Sequence, residues 1–226
     1  MNKYLNEFLS LKCSGDVLNT VNPLGKKSAK EITESMGIIK SIKSFFLEHP
    51  MEVTLIDLCA GNALTSVLAV HLLPVKYAIA VDKKERYRRW DSAKRFQYIF
   101  EDIYSLDLLD KLNLLQKSDY CTDIYQFRWL KEPVVIISSH PCSNLAVRII
   151  ELYNSIRGQK ALVLIPCCRG GIIKSKIPQY LVDKLGNYGM WSFNLWEQIN
   201  SGNVRMVEDK SICSPCNIKI IVDDFK

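Results

Sequence analysis

The sequence predicts an α/β fold: a doubly wound, mostly parallel seven-stranded sheet with an antiparallel C-terminal hairpin, preceded by N-terminal helices. Three observations carry this prediction. Short apolar runs, nearly continuous rather than alternating, recur from residue 53 onward, the texture of strands buried on both faces. Amphipathic stretches separate the first five runs, so each parallel strand pair has a helical crossover. The last two runs lie close enough in sequence to form a hairpin.

Each element follows from its local pattern. Over 28–47, Ile32, Met36, Ile39, Ile42 and Phe46 recur at spacings of three and four and make one apolar helical face. Pro50 ends that pattern. Strands are then expected at 53–58, 77–81, 98–100, 134–138, 161–165, 204–208 and 218–222, with helices at 63–73, 84–91, 105–116 and 142–155. Two more amphipathic stretches follow the fifth strand. No linker or repeat divides the chain, which reads as a helical extension over 1–50 and a sheet domain over 51–226. The N-terminal helices are expected on the sheet edge.

Composition excludes several classes. A chain of 226 residues with 48% hydrophobic and 24% charged residues buries a sizeable core. Its longest apolar runs, such as Ala161-Leu-Val-Leu-Ile165, fall far short of the roughly 18 residues that cross a bilayer, so no membrane partner is expected. The polar, amphipathic start does not read as a signal peptide, and none is expected. A cytoplasmic location follows, with the eight cysteines reduced. Thirty basic against 24 acidic residues give a net charge of +6, which permits a polyanionic partner without requiring one.

In doubly wound sheets, ligands bind at the carboxyl ends of the strands. The first strand ends in Leu55-Ile-Asp-Leu-Cys-Ala-Gly-Asn-Ala-Leu-Thr-Ser66, a small-residue turn that lets a ligand approach the backbone. No Gly-Lys-Ser/Thr follows, and Gly61 is the sole glycine, so this is neither a P-loop nor a full dinucleotide fingerprint. Asp57 beside the turn suits an ammonium or hydroxyl group. Asp82 ends the second strand, where a ribose hydroxyl pair is bound in nucleoside-binding sheets. Asp102 follows the third strand and suits an exocyclic adenine amine. Any one of these carboxylates alone is explained as a helix cap. Three at consecutive strand ends point to an adenosine-containing ligand with a positively charged tail.

Asp-Leu-Cys-Ala-Gly, Val-Asp and Glu-Asp-Ile resemble the first three motifs of class I S-adenosylmethionine-dependent methyltransferases. Ser139-His-Pro-Cys142, Ile165-Pro-Cys-Cys168, Ser214-Pro-Cys-Asn217 and the lead-in Lys26-Lys-Ser-Ala-Lys-Glu31 are similar to a narrower subfamily. That subfamily includes the methyltransferase domain of the glutathione-S-transferase C-terminal-domain-containing protein and methyltransferase-like proteins. The resemblance spans roughly 24–223 and implies a Rossmann-like methyltransferase sheet with S-adenosyl-L-methionine as cofactor. It places Asp57, Cys59, Ala60 and Gly61 around the methionine part, Asp82 on the ribose, and Asp102 with Ile103 at the adenine. Asn62, Lys83 and Ser139 complete the implied cofactor set. Two departures stand out. The family's second loop glycine is Ala63, which is expected to forbid a positive φ there, and the lysine of Ser-Pro-Lys-Asn is Cys216.

Methyl transfer from a sulfonium needs alignment and a proton acceptor more than elaborate chemistry. His140 is the histidine expected on the active edge, since His49 and His71 are expected in a helix tail and an inter-element turn; a turn fixed by backbone hydrogen bonds is the alternative role. Cys142 and Cys167 join His140 as catalytic candidates, because their layout also resembles pyrimidine carbon-5 RNA methyltransferases that use a cysteine nucleophile. Cys213-Ser-Pro-Cys216 has metal-ligand spacing, but no second well-spaced pair accompanies it, so no metal is assigned. Arg169, before Gly170-Gly171, is the candidate substrate contact. The basic run over 83–90 suits phosphates or a solvated face. Tyr188, Trp191, Phe193 and Trp196 suit stacking on a base or, the favoured reading, covering the sheet. The reading is a methyltransferase with RNA as its leading substrate class. Its rivals are a non-catalytic cofactor- or RNA-binding module of the same fold and the cysteine-nucleophile enzyme.

Overall fold

The structure, a computed structural model, describes residues 2–22, 28–84, 88–105, 133–167 and 179–225. Three N-terminal helices, α1 (Lys3–Leu9), α2 (Ser14–Val21) and α3 (Ser28–Glu48), lead into β1 (Val53–Leu58), α4 (Leu64–Leu72) and β2 (Val75–Asp82). A 3-10 turn at Trp90–Ser92 precedes β3 (Phe96–Phe100). The chain continues through β4 (Val134–Ser139), α5 (Asn144–Ser155), β5 (Lys160–Ile165), α6 (Gln179–Trp196), β6 (Asn203–Glu208) and β7 (Ile218–Asp224). Gly186, at φ 64°, breaks α6 into two pieces.

The strands form one sheet in the order β3-β2-β1-β4-β5-β7-β6. β1 pairs in parallel with β2 and β4, β2 with β3, and β4 with β5, while β7 runs antiparallel between β5 and β6. The chain winds outward from β1 to β3 and then returns to the other side of β1 with β4. The topological switch point therefore lies between β1 and β4. There Ser138 Oγ donates to the Leu58 carbonyl at 2.6 Å, beyond the last paired residues, Asp57 and Ile137.

All six residues of β1 and of β5 are buried, Thr54, Asp57 and Lys160 included among their apolar neighbours. Alternate strand residues face two separate cores. Leu55, Val135, Ile137, Val163 and Ile165 pack with α3, α4 and the side chains of Tyr4, Phe8, Val17 and Val21. Ile56, Leu58, Ile136, Leu162 and Leu164 pack with Ile149 and Tyr153 of α5 and Trp191 and Leu195 of α6. The N-terminal helices thus share the core of one sheet face rather than sitting on an edge. A Cβ at Gly37 of α3 would stand 2.9 Å from Ile212 Cδ1, so the Ile212 side chain would have to shift to admit one.

Other differences from the expected elements are local. Phe45, 1% exposed, takes the buried position assigned to Phe46. His71 lies in the last turn of α4. The helix expected over 84–91 is not formed by its described residues. Instead the Arg89 amide donates to the Thr20 carbonyl at 3.2 Å, and the Trp90 ring stacks on Tyr98 at 3.8 Å. These tertiary contacts outweigh the weak helical pattern of that stretch. The helix expected over 105–116 lies almost wholly outside the described residues. Among the described residues, no helix is long and apolar enough to cross a membrane.

Candidate active site

The turn after β1 is built from left-handed residues. Cys59 has φ 58°, Gly61 56° and Ala63 57°. Ala63 therefore adopts the positive φ that alanine was expected to forbid; the turn into α4 imposes it despite the cost to a residue with a Cβ. The turn is held from the neighbouring strands. Gly61 N donates to Asp82 Oδ2 at 2.9 Å, Ala60 N to the Val81 carbonyl at 3.0 Å, and Tyr98 OH to the Gly61 carbonyl at 2.8 Å. Asp82 Oδ1 also accepts from Lys84 N at 2.9 Å. Each Asp82 oxygen holds one backbone amide and keeps further acceptor capacity.

Asp57 is 3% exposed and accepts from Ser66 Oγ at 2.7 Å. Burial pushes its pKa up to about 7, with the nearby Asp82 charge acting in the same direction and the Ser66 bond opposing it. Burial also pushes the Cys59 thiol up to about 12, helped by Asp82, Asp57 and Asp102. Cys59 is thus an inert thiol beside the turn, not a nucleophile. Lys83, Phe100, Glu101 and Asp102 line a cleft at the ends of β2 and β3. Asp102 Oδ1 accepts from Tyr104 N at 3.1 Å, and Ile103 is buried beside it. Phe100, 46% exposed in this cleft, was not singled out from sequence; its place as the last residue of a strand was the available signal.

The catalytic candidates gather at the ends of β4 and β5. His140 has φ 57° and donates its amide to the Ile165 carbonyl at 2.8 Å. Its Nε2 lies 2.5 Å from Glu34 Oε1 of α3. Cys142 is exposed, with its Sγ 3.8 Å from the His140 carbonyl. Cys167 is half-buried, and its amide donates to the Pro141 carbonyl at 3.3 Å. Ser139 Oγ is buried with no hydrogen-bond partner among the described residues. That orphaned hydroxyl, beside the switch point, fits a site built to receive a polar ligand.

Helix α3 contributes more than sequence reasoning found. Besides Glu34, it supplies Glu31, whose Oε2 accepts from Asn62 Nδ2 at 3.2 Å, while Arg88 Nη2 donates to Asn62 Oδ1 at 3.4 Å. Glu31 was legible as the lead-in glutamate, but nothing in the helical pattern marked Glu34.

Arg169 and Cys168 lie outside the described residues. Cys216 is buried and Cys213 exposed. Among the described residues, the grouping with ligand atoms within 4.8 Å of one another is Glu48, His49 and Asp223, which includes no cysteine. Trp191 lies in the core, and Tyr188 OH accepts from Ile218 N at 3.1 Å, so the covering role holds for these two.

The arrangement presents carboxylates and exposed backbone on one side of the switch point, and an imidazole with thiols on the other. A family described as methyltransferase domain matches residues 26–174. No curated protein matches the chain. Among solved structures, a candidate S-adenosyl-L-methionine-dependent methyltransferase from Methanococcus maripaludis is similar at 11% identity and TM-score 0.49, covering 88% of this chain and 89% of that one. The plantazolicin methyltransferase BpumL, solved with S-adenosylhomocysteine and a monoazolic desmethylPZN analog, is similar at 10% identity and TM-score 0.49, covering 98% and 92%. TrmK of M. capricolum, solved with S-adenosylhomocysteine, is similar at 10% identity and TM-score 0.39, covering 77% and 63%.

Proposed function

The chain belongs to the methyltransferase-domain family, and from that premise we propose that it transfers the methyl group of S-adenosylmethionine to RNA. The observation that carries the cofactor reading is the Asp82 carboxylate, fixed on Gly61 N and Lys84 N at the end of β2 beside the cleft of Lys83, Phe100, Glu101 and Asp102. Asp82 would accept from the ribose hydroxyls, with Asp102 and Ile103 at the adenine. The turn of Cys59, Ala60, Gly61 and Asn62, with Asp57 behind it and Ser139 opposite, would hold the methionine part. When bound, the cofactor supplies a methyl group already activated as a sulfonium. The chain's own task is to align the acceptor and take its proton, which falls to the groups at the ends of β4 and β5.

RNA as substrate rests on the narrower subfamily resemblance and the net charge of +6. The exposed Cys142 favours one second reading, covalent attack on a pyrimidine ring. Full activity of both Cys142→Ala and Cys167→Ala on RNA would end it.

Calorimetric titration with S-adenosylhomocysteine tests the cofactor assignment. Micromolar binding, about −8 kcal/mol, that Asp82→Ala abolishes is the expected result. An unmodified wild-type baseline would refute the assignment.

A further inference from the structure

We infer that Glu34 is the positioning residue of a His140 general base, so that the catalytic unit is assembled from α3 and the end of β4. The inference rests on the methyltransferase reading above. Glu34 and His140 lie 106 positions apart in the chain and meet at 2.5 Å, with side chains 6% and 16% exposed. Two glutamates of α3 face the strand ends, but only Glu34 touches a group able to move a proton.

The chemistry of the pair fixes its polarity. A carboxylate is an acceptor only, so in the neutral ring Nε2 must carry the proton it shares with Glu34 Oε1. Nδ1 is then left with its lone pair. Among the described residues the ring meets Glu34 through Nε2, and His140 directly follows the orphaned Ser139. Rotation of the ring would break the Glu34 contact, while the His140 amide is separately anchored on Ile165. Lys30 Nζ, 3.6 Å from the same Glu34 oxygen, is partly exposed and leaves the carboxylate's contact with His140 in place.

A hydroxyl or amine acceptor bonds to the methyl carbon as the carbon–sulfur bond breaks, and that electron pair stays on sulfur. The acceptor's proton passes to His140 Nδ1. Glu34 then stabilises the imidazolium without taking the proton.

The test compares wild type, Glu34→Gln and Glu34→Asp in three measurements: S-adenosylhomocysteine titration, tritiated-methyl transfer from S-adenosylmethionine to total RNA, and the imidazole 15N spectrum. Glu34→Gln should bind S-adenosylhomocysteine as wild type does. Its kcat should fall about 10- to 100-fold at unchanged KM, with Glu34→Asp in between. The wild-type spectrum should show Nε2 protonated and Nδ1 bare, an imbalance that Glu34→Gln reduces. Full transfer by Glu34→Gln overturns the inference. Loss of S-adenosylhomocysteine binding by that variant also overturns it, making Glu34 a cofactor ligand. If wild type binds S-adenosylhomocysteine but labels no RNA, the RNA reading fails. The pair is then judged by the spectrum, and a tautomer unchanged by Glu34→Gln overturns it.

Discussion

Ser66 Oγ in α4 donates to the buried Asp57 carboxyl of β1 at 2.7 Å, tying the first turn of the helix to the strand that precedes it. Burial nevertheless dominates, raising the Asp57 pKa to about 7. In the unfolded chain an aspartate titrates near 3.9. Between about pH 4 and 7 the folded protein therefore binds more protons at this site, and stability falls as pH rises through that window. Asp57→Asn keeps an acceptor for Ser66 and cannot ionise. It should match wild type near pH 3, where both states are protonated, and exceed it by on the order of 4 kcal/mol at pH 8, about 1.4 kcal/mol for each of the roughly three pKa units. Urea unfolding at the two pH values checks this; a gain that is equal at both would show that Asp57 stays neutral or ionised throughout.

A second expectation concerns the turn itself. Because Asp82 Oδ2 holds the Gly61 amide, removing that carboxylate should loosen the turn even without ligand. A hydrogen bond to a charged acceptor contributes about 1.5–3 kcal/mol, less where water competes, so Asp82→Ala should speed exchange of the Gly61 amide about tenfold. Amide hydrogen exchange reads this directly. Unchanged protection would mean that Tyr98 and the Val81 carbonyl hold the turn on their own.

The central parallel strands were legible because burial on both faces leaves largely apolar runs, as over 134–137 and 161–165, while the antiparallel β6 and β7 were legible from their close spacing in sequence. The strand-end carboxylates were legible because each lies at or within two residues of such a run's carboxyl end. Glu34 was not. A glutamate in an amphipathic helix reads as solvated, and its burial arises only because α3 is covered twice. Ser35 Oγ meets Thr65 Oγ1 of α4 at 2.9 Å, and Thr33 Oγ1 accepts from Cys213 N at 3.0 Å in the loop before β7. Neither contact has a local signature. The same holds for 84–91, where composition suggested a basic helix and the Thr20 and Tyr98 contacts decided otherwise.

Ala63 gives a third expectation. Its left-handed conformation costs an L-residue roughly 1–2 kcal/mol, yet its side chain is fully buried. Ala63→Gly relieves the backbone but removes a buried methyl, worth about 0.8 kcal/mol, and frees the unfolded chain. The net change should stay within about 1 kcal/mol. Ala63→Val adds branching where φ is positive and should destabilise clearly more. Urea midpoints for the three proteins decide the matter, and a Val variant as stable as wild type would contradict the left-handed assignment.

The last expectation joins the N-terminal helices to the hairpin. Asp209 Oδ2 accepts from Lys219 Nζ at 2.8 Å and from Tyr4 OH at 2.7 Å, and Lys219 also donates to the Gly37 carbonyl at 3.2 Å. Burial alone would raise the Asp209 pKa, but the Lys219 and Tyr4 hydrogen bonds hold it below the usual range. A depressed carboxyl contributes stability above its unfolded pKa that is lost as pH falls through the folded value, so this contribution should decline progressively as the pH falls below about 4. Lys219→Met leaves Asp209 buried without its cation and should cost about 3–5 kcal/mol at neutral pH. Tyr4→Phe removes one neutral donor and should cost about 1 kcal/mol. Lowering the pH from 7 to 3 should therefore narrow the gap between wild type and Lys219→Met, because protonated Asp209 no longer needs the ammonium. A gap that stays constant over that range would mean Lys219 acts through its packing and its bond to Gly37 rather than through its charge.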